Sequence, residues 1–287
     1  MDSLRWWCSA QLGTPWSWEW QAYPGIWAFV GLLIGLYFWA IRRLEPKKFA
    51  ADDGPTTRRH IFLFLLGWLL LWVGLDWPVG ALAAGYLLSA KTVQYLLIGY
   101  IAPGLMLLGM PRWLLRRMIR PRWVFRTARM LTRPLLPLAI ANTVLVVSHT
   151  PAAINGLAGS QLGVFAMDLT VVATGFVFWW PALGRVPELK PMSYPGRIGY
   201  LALNLLLPTV PASFFTFSQY PIYTLYELAP RVSGISAVSD QQVAGLVMKV
   251  AGGLLILGVM SVMFVRWYQA EQRSEEHVVV PPASGSG

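Results

Sequence analysis

A single cysteine, Cys8, stands among 287 residues, which rules out an intramolecular disulfide and any CxxC redox or zinc motif. No apolar stretch precedes it, so it is expected to be an incidental thiol and not a lipoprotein attachment site. Charge is equally scarce. Only 13% of residues are Asp, Glu, Lys or Arg, against roughly 25% in a soluble domain that must coat its core. There is no GxSxG, no HExxH, no carboxylate pair within one apolar run and no glycine-rich phosphate loop, and the chain is read as a non-enzyme. A basic soluble module is missing too, so the net charge of +10 does not indicate a nucleic-acid partner.

What is abundant is apolar length. Hydrophobic residues make up 56% of the chain, and 15 Trp, 11 Tyr and 13 Phe supply rings suited to the headgroup level. Seven runs are long enough to cross a hydrocarbon core: Pro24–Ile41, His60–Leu75, Leu87–Gly109, Pro134–Ser148, Gly163–Leu183, Arg197–Phe217 and Gln241–Arg266. Lipid offers backbone groups no partner, and the runs lack the alternation of barrel strands, so they are expected to be helices. The fold class is therefore an all-α polytopic bundle of seven transmembrane helices.

Orientation follows from the basic residues. Arg42, Arg43, Lys47, Lys48, Arg58 and Arg59 fall between spans one and two, and eight arginines between spans three and four. With Arg185, Lys190, Arg197, Arg266 and Arg273, nineteen of the 23 Lys and Arg lie on one side. The positive-inside rule then places the N-terminus outside and the C-terminus inside. Residues 1–23, with Trp6, Trp7, Trp16, Trp18 and Trp20, are expected to form a short extracytoplasmic tail at the outer interface, residues 24–266 the membrane domain, and residues 267–287 a disordered cytoplasmic tail.

Segment 112–133 carries Arg112, Arg116, Arg117, Arg120, Arg122, Arg126, Arg129 and Arg133 with no acid, interleaved with Trp113, Leu114, Leu115, Trp123, Val124 and Phe125. This pattern fits an amphipathic segment broken at Pro121 and lying on the inner leaflet, with its arginines toward lipid phosphates. It serves either to fix topology or to dock a partner.

Ionisable residues inside spans cost a few kcal/mol unless paired or lining a polar cavity. Lys91, Asp168 and Lys249 lie within spans and His149 at a helix end, all in the outer half, with Asp76 and Asp240 at the outer surface. Asp168 is the natural counter-charge for Lys91 or Lys249, and Tyr95, one turn after Lys91, shares its face. The cluster is either a buried ion pair that fixes helix register or a functional site. Met106, Met110, Met248, Met260 and Met263 are soft donors in principle, but form no tight cluster and read as packing.

Four stretches give the chain a resemblance to a known family. They are Ser89-Ala90-Lys91-Thr92-Val93-Gln94-Tyr95-Leu96-Leu97 leading to Ala102-Pro103 and Gly109-Met110-Pro111; His149-Thr150-Pro151; Phe178-Trp179-Trp180-Pro181; and Thr216-Phe217-Ser218 followed by Asp240-Gln241-Gln242-Val243-Ala244-Gly245. In order and spacing, from span two to span seven, the chain resembles the multi-span CtaG type of cytochrome c oxidase assembly factor. The resemblance implies a multi-pass protein of the bacterial inner membrane that helps assemble a haem-copper oxidase, with copper handled on the outer side.

Where the family pattern has His-Met-x-Gln-His, this chain has Lys91-Thr92-Val93-Gln94-Tyr95, and Asp168 replaces the span-five histidine. Of the implied outer histidines His149 alone remains, as the one candidate copper ligand. A permanent metal-free subunit of a larger membrane complex and a small-solute or ion carrier using the Lys–Asp cluster are the alternatives.

Overall fold

The computed structural model describes residues 5–11, 13–49, 53–232 and 234–279, and among them every regular element is helical. Six helices are long and apolar enough to cross a membrane. They are α1 (Pro24–Arg43), α2 (Arg58–Leu75), α4 (Leu88–Gly109), α9 (Gln161–Leu183), the broken span of α10 (Tyr194–Leu206) and α11 (Thr209–Phe217), and α13 (Ala237–Val279). Local chemistry sets their ends. At α2, the Thr57 hydroxyl accepts from the His60 N–H at 3.3 Å while His60 Nδ1 accepts from the Thr57 N–H at 3.2 Å, a reciprocal cap. Ser160 caps α9, which stops at Gly184 with φ 52°, a left-handed conformation that glycine tolerates. Pro208 cannot donate to the Asn204 carbonyl, and the sixth span breaks there.

The expected span at Pro134–Ser148 is the exception. Helix α7 (Leu135–Ser148) has 14 residues, about 21 Å of rise, short of the roughly 30 Å hydrocarbon core. It reaches spanning length only together with α6 (Arg122–Leu131), from which it bends by 80° at Thr132 to Pro134. Its two ends nevertheless join opposite faces of the bundle. Thr132 Oγ1 reaches the Leu189 carbonyl at the basic end, whereas the His149 carbonyl accepts from Tyr223 at the other. Among the described residues there are thus six helices long enough to cross and, counting the bent pair, seven.

Helix α4 is the axis of the bundle, two thirds buried, and packs on α2, α9 and α13. Pro103 removes the N–H that would bond the Gly99 carbonyl, and the helix widens over Leu96–Ile101, where the Ala102 N–H reaches back five residues to Leu97. The loosened Tyr100 carbonyl accepts instead from Trp179 Nε1 of α9 at 2.6 Å. Gly175 lets the two helices touch here. A Cβ on it would strike the Gly99 carbonyl oxygen and lie 2.6 Å from Pro103 Cγ.

Short helices cover both ends: α3 (Val79–Gly85), α8 (Pro151–Leu157) and α12 (Thr224–Leu228) at one, α5 (Arg112–Met118) and α6 at the other. The tail expected to be disordered from residue 267 is instead helical through Val279. No Gly or Pro falls between Gly258 and Pro281, and the Gln, Glu and Arg residues there favour helix, so α13 continues past its apolar part. Residues 280–287 of that expected tail lie outside the described residues. Residues 5–11 also depart from an interfacial tail. Trp18 and Trp20 stay exposed, but Trp7 and Cys8 are 2% and 1% exposed within the bundle.

Candidate functional site

Two of the sequence-predicted residues meet at the end opposite the basic loops. Lys91 lies in the first turn of α4 and Asp168 two turns into α9; Nζ and Oδ1 are 3.4 Å apart, with side-chain exposures of 14% and 2%. Gln94, one turn from Lys91, accepts from its ammonium at 2.8 Å. The ion pair thus ties α4 to α9, and the amide, on α4 itself, holds the ammonium in place.

The second carboxylate oxygen is taken by a group absent from the sequence expectation. Trp7 Nε1 donates to Asp168 Oδ2 at 3.0 Å, and its ring is boxed edge-on by Phe165 at 4.9 Å and Phe29 at 6.0 Å. The backbone holds the indole there. Gln161 Oε1 accepts from the N–H groups of Trp6 at 2.7 Å and Trp7 at 3.0 Å, the Trp6 carbonyl accepts from Gly25, and the Ala10 N–H donates to the Ala158 carbonyl. Burying a ring of this size with its N–H satisfied is worth about 3–5 kcal/mol by the cost of truncating such a residue. Residues 5–11 therefore form a strap whose Trp7 closes the Lys91–Asp168 pair. A cluster of Trp in a segment poor in charge was the signal for burial, but its target, 161 residues away, was not readable.

Tyr95 and His149 sit beside the pair. The His149 ring stands edge-on to Tyr95 at 4.9 Å, and both line a narrow crevice with Lys91, Gln94, Met167 and Asp168. His149 Nδ1 lies 2.8 Å from the Leu145 carbonyl, which requires the proton on that nitrogen, and Nε2 keeps its lone pair. Lys249 does not join them. It is exposed on α13 at the edge of a separate groove with Asn204, Thr209 and Gly252, because its position on α13 turns it outward instead of toward α9. The four-residue cluster expected from the sequence is thus Lys91, Tyr95 and Asp168, with His149, Gln94 and Trp7 in the place of Lys249.

The two surface aspartates are buried structural groups. Asp76 Oδ2 accepts from Trp27 Nε1 at 2.8 Å and Trp72 Nε1 at 2.7 Å. Asp240 accepts from the N–H of Leu88 at 2.6 Å, from that of Ser89 and from its hydroxyl, and so caps α4 from α13.

Among the described residues no three His, Cys, Asp or Glu side chains stand together as metal ligands. His149 Nε2, Met167 and Asp168 are donors in one crevice, but the Lys91 ammonium shares it. A copper ion there would find one imidazole and one thioether, with the carboxylate already bonded to Lys91 and Trp7.

At the basic end the arginine segment breaks before Pro121 into α5 and α6, as its sequence predicts. Seven of its arginines, Arg112, Arg117, Arg120, Arg122, Arg126, Arg129 and Arg133, are exposed; Arg116 is drawn in, paired with Asp53 at 2.7 Å and Glu188 at 2.6 Å. Arg185, which the sequence reading used only for topology, donates to the Leu108 and Met110 carbonyls and closes the last turn of α4.

Compared with known proteins, residues 35–270 match the family model described as cytochrome c oxidase caa3 assembly factor. No curated protein and no solved structure matches the chain.

Proposed function

The chain belongs to the cytochrome c oxidase caa3 assembly factor family, and from that premise we propose that it works in the bacterial inner membrane as a binding scaffold for a haem-copper oxidase, without catalysis and without holding copper itself. The observation that carries this reading is the Lys91–Asp168 pair closed by Trp7. An ammonium and an indole N–H occupy one carboxylate oxygen each, so the outer polar layer serves to join α4, α9 and the N-terminal strap. A site for handing on copper needs open imidazole or thioether donors and a path to them; here one histidine shares its narrow crevice with the Lys91 ammonium.

The test has two arms. Deleting the gene is expected to lower the haem-copper oxidase, read from haem spectra of membranes, and His149→Ala is expected to restore it as the wild type does. The purified protein, loaded with copper, is expected to retain none that depends on His149. Copper retained near one equivalent and lost in His149→Ala would overturn the copper-free reading. Unchanged oxidase levels in the deletion would overturn the assembly role. Co-purification in fixed stoichiometry with the mature oxidase would make the chain a permanent subunit.

A further inference from the structure

We propose that the basic end carries a discrete binding site for the phosphodiester headgroup of an anionic phospholipid, in the cavity between the loop after α1 and helix α5. The cavity holds about 450 Å³ and is lined by Leu44, Lys48, Trp113, Arg117, Arg120 and Phe125, with Arg116, Asp53 and Glu188 at its side. It lies apart from the Lys91–Asp168 site, on the opposite face of the bundle.

Its charges are not equivalent. Arg116 pairs with both carboxylates, at 2.7 Å and 2.6 Å, and this triad, with one negative charge left over, ties the α1–α2 loop, α5 and the segment after α9 into one wall. Lys48, Arg117 and Arg120 have no carboxylate within 4 Å among the described residues; they converge on one opening and outweigh the charge the triad leaves, so the lining is net positive. Guanidinium forks and an ammonium match the two non-bridging oxygens of a phosphodiester.

The walls argue for lipid over a soluble phosphate. Leu44, Trp113 and Phe125 give the cavity an apolar side, and Trp113 is buried with its indole N–H on Thr56 Oγ1 at 3.3 Å, as at a headgroup boundary. A glycerol backbone and the first acyl carbons would cover that side while the phosphate meets the cations. A zwitterionic headgroup would bring its own ammonium against Arg117 and Arg120; a phosphatidylglycerol-type headgroup would not. Basic pockets between helices on the cytoplasmic side have this lipid chemistry in general.

The test uses the full chain, purified and transferred to nanodiscs of phosphatidylcholine containing phosphatidylglycerol, with native mass spectrometry reading the lipid that stays bound. Lys48→Gln/Arg117→Gln/Arg120→Gln removes the three free cations, all exposed, so the fold is spared. Arg122→Gln/Arg126→Gln/Arg133→Gln removes the same charge elsewhere on the basic end. The wild type and the second variant are expected to retain phosphatidylglycerol over phosphatidylcholine, and the first to bind it on the order of 100-fold more weakly, from about tenfold or less per charge. Equal loss in both variants would reduce the effect to diffuse attraction and overturn the site. Retention unchanged in the first variant would also overturn it, and so would displacement of the lipid by millimolar inorganic phosphate.

Discussion

If Lys91 and Asp168 pair only with each other, removing one must cost far more than removing both. Asp168 is 1% exposed, and its ion pair is with Lys91 alone among the described residues. Lys91→Met would leave a buried carboxylate with the Trp7 indole as its remaining donor. Breaking a buried pair costs about 3–5 kcal/mol, and placing an unpaired Asp in a span costs about 2.5–3.5 kcal/mol on insertion scales, so about 3 kcal/mol is the expected loss. Asp168→Asn keeps an oxygen for Trp7 but leaves the ammonium with Gln94 only, a loss of about 2 kcal/mol. The double variant has no stranded charge and is expected to lose about 1 kcal/mol, mostly from the idle Gln94 oxygen. The cycle then gives a coupling near 4 kcal/mol, above what neighbouring neutral groups show. Unfolding free energies from steric trapping in bicelles measure all four corners. Additivity within about 0.5 kcal/mol would refute the pairing.

Three further outcomes follow from named contacts. The Cys8 thiol is pushed well above its usual range, chiefly by burial and then by the charges of Asp168 and Asp76, so the folded protein should resist maleimide at pH 8 and react only as pH rises above the ordinary thiol range. Trp7→Ala should speed that labelling at least tenfold or so by freeing the strap, and equal rates would show that the strap does not shield the thiol. Gly175→Ala should cost about 1–3 kcal/mol by forcing α4 and α9 apart at the Gly99 carbonyl, visible as a lower melting temperature in detergent; an unchanged value would contradict the contact. Lys249→Met, on an exposed face with no ion pair among the described residues, should leave stability unchanged or raise it, in contrast to Lys91→Met.

The spans were legible because lipid forces backbone groups to be satisfied locally, which leaves a length signal in the sequence. It carries length but not chain direction. Pro134–Ser148 reads as a span, yet α7 is a 14-residue helix that needs a bend of 80° to reach spanning length with α6. The Lys91–Asp168 pair was readable because charges inside spans are few and must find one another. Lys249 was misassigned because depth along α13 is set by residue count, whereas the face it presents depends on how α13 rolls against α4 and α11. Trp7 was invisible for a different reason: its partner lies in α9, and nothing in a Trp-rich segment of irregular backbone specifies which distant carboxylate its indole will reach.

The cap on α4 links these contacts into one device, and that linkage is open to test. Asp240 stands on α13, yet its carboxylate accepts from the N–H groups of Leu88 and Ser89, which begin α4 one turn before Lys91. The first N–H groups of a helix have no partner within it, and next to lipid they cannot turn to water. A charged acceptor here adds charge-assisted bonds, each about 1.5–3 kcal/mol, to an attraction for the helix dipole. Asp240→Ala should thus cost about 3 kcal/mol. Its larger consequence is geometric: with the first turn of α4 released, Lys91 is no longer held opposite Asp168, since the turn that carries it is the one that frays. The Lys91–Asp168 coupling, measured again in an Asp240→Ala background, should fall below about 1 kcal/mol. Asp240→Asn, which keeps an acceptor oxygen at the same place, should lose the charge yet preserve most of the coupling. A coupling unchanged by Asp240→Ala would mean that α9 and the Trp7 strap position Lys91 by themselves, and the cap from α13 would then serve α4 alone.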